Sequence, residues 1–276
     1  MDTNHIGGGM EKVDIDGLQV SRFILGSNPF SGFSHQDAER NKAMRAWYTT
    51  ERVLDVLFQA ESLGIDSVIA RADEHILECF RQYYEAGGKL QWLAQTCPEV
   101  GDHATCIQRA VDGGAHATYI HGGVMDNLVR RGETAELPGV VDRIHAAGLR
   151  AGIAGHNPGV FRWALDSGLP VDFMMCSYYD PVPRNENGEH VRGAPETFRP
   201  EHREAMTAFI ADCPLPVIHY KVLAAGRNDP RDAFAVVART MRPRDMVCVG
   251  IYNEERPDLL AESVGLFMNA LAAARA

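Results

Sequence analysis

The chain has 276 residues, 45% of them hydrophobic and 23% charged, with a formal net charge of −10. That length buries a substantial core and suits one barrel domain of about 250 residues, spanning 1–276. The negative charge speaks against nucleic acid or an anionic membrane as partner, since both need basic patches. Residues Met1 to Gly9 are polar and glycine-rich, unlike a signal peptide, and no apolar run approaches bilayer length. The six cysteines (Cys79, Cys97, Cys106, Cys176, Cys213, Cys248) show no close pairing pattern, which fits free thiols and a cytoplasmic location.

In chain order, Val13 to Val20 and Ser21 to Gly26 read as short strands, with Asp16-Gly17 as a hairpin turn signal. A polar loop is expected from Ser31 to Tyr48. Thr50 then caps a helix whose apolar face carries Val53, Leu54, Leu57, Phe58 and Ala60. Apolar strands follow at Ile65 to Arg71, Gln91 to Cys97, Thr118 to Gly123, Leu149 to His156, Val171 to Asp180, Pro216 to Lys221 and Met246 to Tyr252. Helix-length segments separate them. Asn157-Pro158 and Asp229-Pro230 are helix starts, and Pro257 begins the last helix. Strand alternating with helix in this way predicts an α/β fold, a (β/α)8 TIM barrel with an N-terminal hairpin.

The stretch Thr118-Tyr119-Ile120-His121-Gly122-Gly123 is the anchor of the reading. Alternation puts Tyr119 and His121 on one face, and the glycines permit a sharp turn and close approach of a ligand. Most of the other strands also end in His, Cys, Tyr, Asp or Lys. Polar groups gathered at the carboxyl ends of parallel strands are the layout of a barrel active site. The loop Pro181 to Pro200 is long and charged, contains Asn187-Gly188, and reads as a substrate lid.

Gly17 to Ser27, reading Gly-Leu-Gln-Val-Ser-Arg-Phe-Ile-Leu-Gly-Ser, resembles the opening of the aldo-keto reductases. There a hairpin plugs the barrel floor and leads into strand one. The family carries an aspartate near the start of strand two, a catalytic tyrosine five residues later, a lysine ending strand three and a histidine ending strand four. Asp66 and His121 match, while Arg71 and Thr96 stand at the tyrosine and lysine positions. Gly155-His156-Asn157-Pro158, the end of strand six at Tyr179-Asp180, and Leu223 to Gly226 resemble further family turns. Ala154 replaces a serine that would hold a nicotinamide amide, and Glu254 and Glu255 oppose a 2′-phosphate. The resemblance is therefore one of framework, with NAD(P) disfavoured as cofactor.

The expected chemistry is acid/base, as a lyase, isomerase or hydrolase acting on a small polar carbonyl or sugar-like substrate. His121 is the expected acid/base or ligand, Asp66 its electrostatic partner, and Arg71 and Lys221 the clamps. Asn28, Gln95, Tyr179, Tyr220 and Asn253 are candidate substrate contacts. His121, His156, His219 and Asp180 would suit a divalent metal. Lys221 also admits a Schiff base, or a salt bridge with Asp180. Two alternatives stay open: a divergent NAD(P)-dependent reductase using His121 or a nearby tyrosine, and a catalytically silent small-molecule binder. Oligomerisation is open as well.

Overall fold

A computed structural model describes residues 10–183, 185 and 194–275. An antiparallel hairpin of β1 (Lys12–Ile15) and β2 (Leu18–Ser21) comes first. Asp16 and Gly17 both take positive φ, 46° and 86°, as a two-residue type I′ turn requires. Asp14 Oδ1 accepts the Gly17 N–H at 2.9 Å and pins the turn.

Eight parallel strands then close on themselves: β3 (Phe23–Gly26), β4 (Ser67–Arg71), β5 (Gln91–Gln95), β6 (Ala117–Ile120), β7 (Arg150–Gly155), β8 (Phe173–Ser177), β9 (Val217–Tyr220) and β10 (Met246–Gly250), which returns to pair with β3. The fold is a (β/α)8 TIM barrel. Its helices are α1 (Ala38–Trp47), α2 (Thr50–Ser62), α3 (Glu74–Glu85), α4 (His103–Asp112), α5 (Gly122–Arg131), α6 (Leu137–Ala146), α7 (Pro158–Asp166), α8 (Pro200–Asp212), α9 (Pro230–Thr240) and α10 (Leu259–Arg275).

Strand alternation divides the core in two. Ile24, Ile69, Leu93, Tyr119, Ala154, Met175 and Ile218 pack together inside the barrel, joined from below by Val13, Ile15 and Val20 of the hairpin. Their neighbours, such as Phe23, Val68, Trp92, Ile153 and Val217, face the helices in a second cluster. The hairpin thus plugs the amino ends of the barrel. Among the described residues no helix is long and apolar enough to cross a membrane.

Several expected boundaries move. The stretch read as a loop contains α1, capped by Asp37, whose side chain accepts the Arg40 N–H at 2.7 Å. Only Met44 of that helix is buried, so no apolar stripe announced it. Thr49 rather than Thr50 caps α2, and α10 begins two residues after Pro257. Asn157 and Asp229 cap α7 and α9 as expected. The strand that anchored the reading stops at Ile120. Gly122 and Gly123 form the first turn of α5, with His121 as its N-cap.

Candidate active site at the carboxyl ends

α5 carries the key placement. Gly122 and Asp126 are four residues apart and share its inner face. A Cβ on Gly122 would lie 3.1 Å from His156 Cε1 and 3.3 Å from the Tyr220 hydroxyl, so glycine there permits close approach between elements rather than a turn. Asp126 is buried, and its carboxylate accepts from the His156 backbone N–H at 3.1 Å and meets His156 Nδ1 at 2.7 Å. Across the ring, His156 Nε2 is 3.3 Å from the Tyr220 hydroxyl. Asp126, at one end of this chain, faces Nδ1, and Nε2 faces the Tyr220 hydroxyl, which also donates to the Gly155 carbonyl at 3.4 Å. Burial raises the Tyr220 phenol well above its ordinary range, and the Asp126 charge adds to this. The tyrosine therefore stays protonated at neutral pH.

His121 sits beside this chain. Its backbone N–H donates to Thr96 Oγ1 at 3.0 Å, and its Nδ1 accepts the Gly123 N–H at 3.2 Å. Thr96 serves here as a backbone anchor. Burial, then the charges of His156, Arg71 and Lys221, hold His121 down at about 4. It is neutral near pH 7, with its proton on Nε2, and so serves as a hydrogen-bond donor rather than a general acid.

A second polar chain lies on the β9 side. Lys221 Nζ is 3.0 Å from His35 Nε2, and His35 Nδ1 is 2.8 Å from Glu196 Oε1. Asn28 Nδ2 approaches His35 Nε2 at 3.4 Å. Burial pushes Lys221 down to about 8 against the pull of Glu196, Asp180 and Asp126. The Lys221 charge, then burial, lowers His35 in turn. Lys221 leaves the strand track with φ 58°. Ala224 and Ala225 are also left-handed, at 49° and 54°, a run of strain that non-glycine residues adopt only when held. This explains why Lys221 does not share the face of His219, as regular alternation would have it.

Not every candidate reaches the mouth. Asp66 lies at the amino end of β4, where it pairs with Lys12 Nζ at 2.9 Å and accepts the Ser21 N–H at 2.7 Å. It holds the plug to the barrel and cannot partner His121. His219 faces outward, fully buried, with Nδ1 2.9 Å from the Tyr178 hydroxyl and Nε2 3.3 Å from Asp245. The four-donor metal set does not assemble for that reason. Among the described residues no group of three His, Cys, Asp or Glu side chains is placed to hold a metal ion.

Arg71 is at the mouth but engaged. It is paired with Asp73 at 3.1 Å and with Glu99, and its guanidinium stacks 4.7 Å from the Phe33 ring. Gln95 Oε1 accepts from the Tyr119 hydroxyl at 2.9 Å. Tyr179 is buried beneath Phe198, its hydroxyl accepting from Asn228. Asp180 donates its backbone N–H to His202 Nδ1 at 3.2 Å and acts on Lys221 through its charge. Asn253 belongs elsewhere: it takes bonds from Trp47 and Tyr48 and lines a separate surface groove of about 370 Å³ with Arg52 and Gln59.

Three contributors escaped the sequence reading. His35 and Glu196 lie in loops with no periodic signal. Asp126 had a weak one, a lone carboxylate between Met125 and Leu128 on a helix. Of the lid segment, Asn187-Gly188 falls outside the described residues. The part at 194–199 reaches the mouth through Glu196 on His35, and Phe198 takes the Arg227 guanidinium 4.5 Å from its ring.

No protein-family model and no curated protein matches this chain. Solved structures do. The crystal structure of Gox0644 in its apo form is similar over 97% of this chain and 94% of that one, at 13% identity and a TM-score of 0.60. The N-acetylmannosamine-6-phosphate 2-epimerase from Clostridium perfringens is similar over 87% and 90%, at 11% identity and a TM-score of 0.51. At such identities the likeness is one of fold, the TIM barrel.

Proposed function

We propose that this barrel is an enzyme of non-redox acid/base chemistry on a small carbonyl or sugar-like substrate, bound at the carboxyl ends of β6, β7 and β9. One observation carries the reading: the Asp126–His156–Tyr220 chain, a phenol backed by an imidazole backed by a buried carboxylate. Tyr220 gives its proton to an oxygen where charge develops and takes it back as that charge collapses. His156 Nε2 positions the hydroxyl for the transfer, and Asp126 holds the imidazole. Neutral His121, with its Nε2–H, polarises the same oxygen, a role that a low histidine pKa favours. Lys221 supplies positive charge from the β9 side.

The sugar-like substrate class is supported by the epimerase neighbour only as a shared fold. The resemblance of Gly17 to Ser27, Asp66 and His121 to the aldo-keto reductases marks in our reading a framework whose proton donor has moved from strand two to Tyr220 on β9. A hydride-transferring reductase that uses Tyr220 is the second reading. The exposed Glu254 and Glu255, on the turn where a nucleotide phosphate would lie, disfavour it.

The test is proton exchange. Wild-type protein in D2O with dihydroxyacetone, glyceraldehyde, pyruvate or N-acetylmannosamine should move deuterium onto the carbon beside the carbonyl, read by proton NMR. NADPH oxidation with these carbonyls, and no exchange, would give the reductase reading the ground.

A further inference from the structure

The chain uses arginine almost everywhere it needs a cation. Its 27 basic residues include four lysines, at positions 12, 42, 89 and 221. Lys12, Lys42 and Lys89 are exposed, while Lys221 alone is turned into the barrel mouth. A guanidinium would supply the charge of a clamp more reliably, because it never loses its proton and binds oxyanions bidentately. What an amine offers and a guanidinium does not is a lone pair. Resting on the acid/base reading above, the geometry points to Lys221 as a covalent nucleophile that forms a Schiff base with the carbonyl carbon of a hydroxy-aldehyde or hydroxy-ketone.

The surroundings suit that role. His35 Nδ1–H donates to Glu196 Oε1, which leaves His35 Nε2 as an acceptor 3.0 Å from Lys221 Nζ. His35 Nε2 thus accepts an N–H of Lys221 and holds the amine in place, while burial lets the ammonium shed its proton to solvent near pH 8. The backbone at Lys221 is held left-handed, φ 58°, at the cost of strain that a surface ion pair would not require. Oε2 of Glu196 is buried without a hydrogen-bond partner among the described residues and offers an acceptor for a substrate hydroxyl. Glu196, Asp180 and Asp126 supply negative charge around Lys221, and burial outweighs them to bring the amine near neutrality.

The step balances without a redox partner. The neutral Nζ adds to the carbonyl carbon, a C–N bond forms, and the carbonyl oxygen takes a proton. The carbinolamine then loses that oxygen as water, and the nitrogen is left as a protonated imine. In sum, ammonium and carbonyl give iminium and one water. The iminium withdraws electrons from the neighbouring carbon, where the Tyr220–His156 chain handles the proton.

Borohydride reduction tests this directly. Full-length protein is incubated with dihydroxyacetone, glycolaldehyde or pyruvate, reduced, weighed intact and mapped by peptide. We expect one adduct per chain, on the peptide holding Lys221, with labelling that rises through pH 8. Lys221→Arg should lose the adduct, and Tyr220→Phe should keep it while losing proton exchange. Mapping on the wild type does not depend on any variant folding. No label on Lys221, or equal label over all four lysines, overturns the proposal. Exchange without a Lys221 adduct would refute the nucleophile and leave the acid/base reading standing. Absence of both removes the two together.

Discussion

The hydroxyl of Tyr220 lies 3.3 Å from Nε2 of His156, joining the end of β9 to the end of β7 across the mouth of the barrel. Neither residue was paired with the other by any local pattern. The contact exists because strand closure brings β7, β8 and β9 side by side and because Gly122 leaves room beneath it.

Removing the phenol oxygen isolates the proton donor. Tyr220→Phe keeps the ring that packs against His156 and should lower the exchange rate by about 10²–10⁴, the usual worth of a positioned acid. The urea unfolding midpoint should stay close to wild type. An exchange rate equal to wild type would take Tyr220 out of the mechanism.

Asp126→Asn probes the support of the imidazole. The amide preserves shape but offers one acceptor where the carboxylate offered two, to His156 N and Nδ1. Exchange should fall and stability should drop by about 1–3 kcal/mol, the range for a buried group left unsatisfied. A loss of stability with no loss of rate would make Asp126 purely structural.

His219 gives the opposite pattern. Fully buried between Tyr178 and Asp245, it should behave as a core residue. His219→Phe is expected to cost about 1–2 kcal/mol in denaturant unfolding, from the hydrogen bonds lost to Tyr178 and Asp245, which keep Thr240 and Arg242, with exchange per folded molecule unchanged. A selective collapse of activity would return it to the site.

pH acts through His121. Its folded pKa, about 4, lies below the ordinary 6.5, so the unfolded chain binds more protons in between. Stability from this residue is present above about 6.5, declines as pH falls toward 4, and levels off below. His121→Asn can still accept the Gly123 N–H, and it should flatten that slope in unfolding free energy measured from pH 4 to 7. An unchanged slope would show that other groups carry it.

The barrel interior offers a packing test. A Cβ at Gly152 would sit 2.4 Å from the Phe173 ring, which is fully buried. Gly152→Ala should therefore destabilise by about 1–3 kcal/mol, against the usual gain from replacing glycine. The Phe173→Leu partner should recover part of the loss in a double-mutant cycle, and additivity of the two would argue against the clash.

The architecture was largely legible in the sequence because it is written in local terms. Apolar strands of period two, the Asp16-Gly17 turn, and the Asn157-Pro158 and Asp229-Pro230 caps each act within a few residues. Helix α1 was hidden for the same reason, since a helix with a single buried residue shows no stripe.

Strand ends alone placed His121, His156, Tyr220 and Lys221 at the carboxyl face, because parallel closure sends every carboxyl end to one side. Which way each side chain points was decided in three dimensions. His219 and Tyr220 are neighbours in sequence, yet the pleat sends one to Asp245 among the helices and the other to His156 in the mouth. Lys221 breaks that alternation through a left-handed φ that no residue type at this position announces. Asp66 fits a sequence pattern, but five residues of strand separate it from Arg71, at roughly 3.3 Å per residue the thickness of the barrel. His35, Asp126 and Glu196 enter from two loops and a helix, and only the packing of those elements over the strand ends gives them partners.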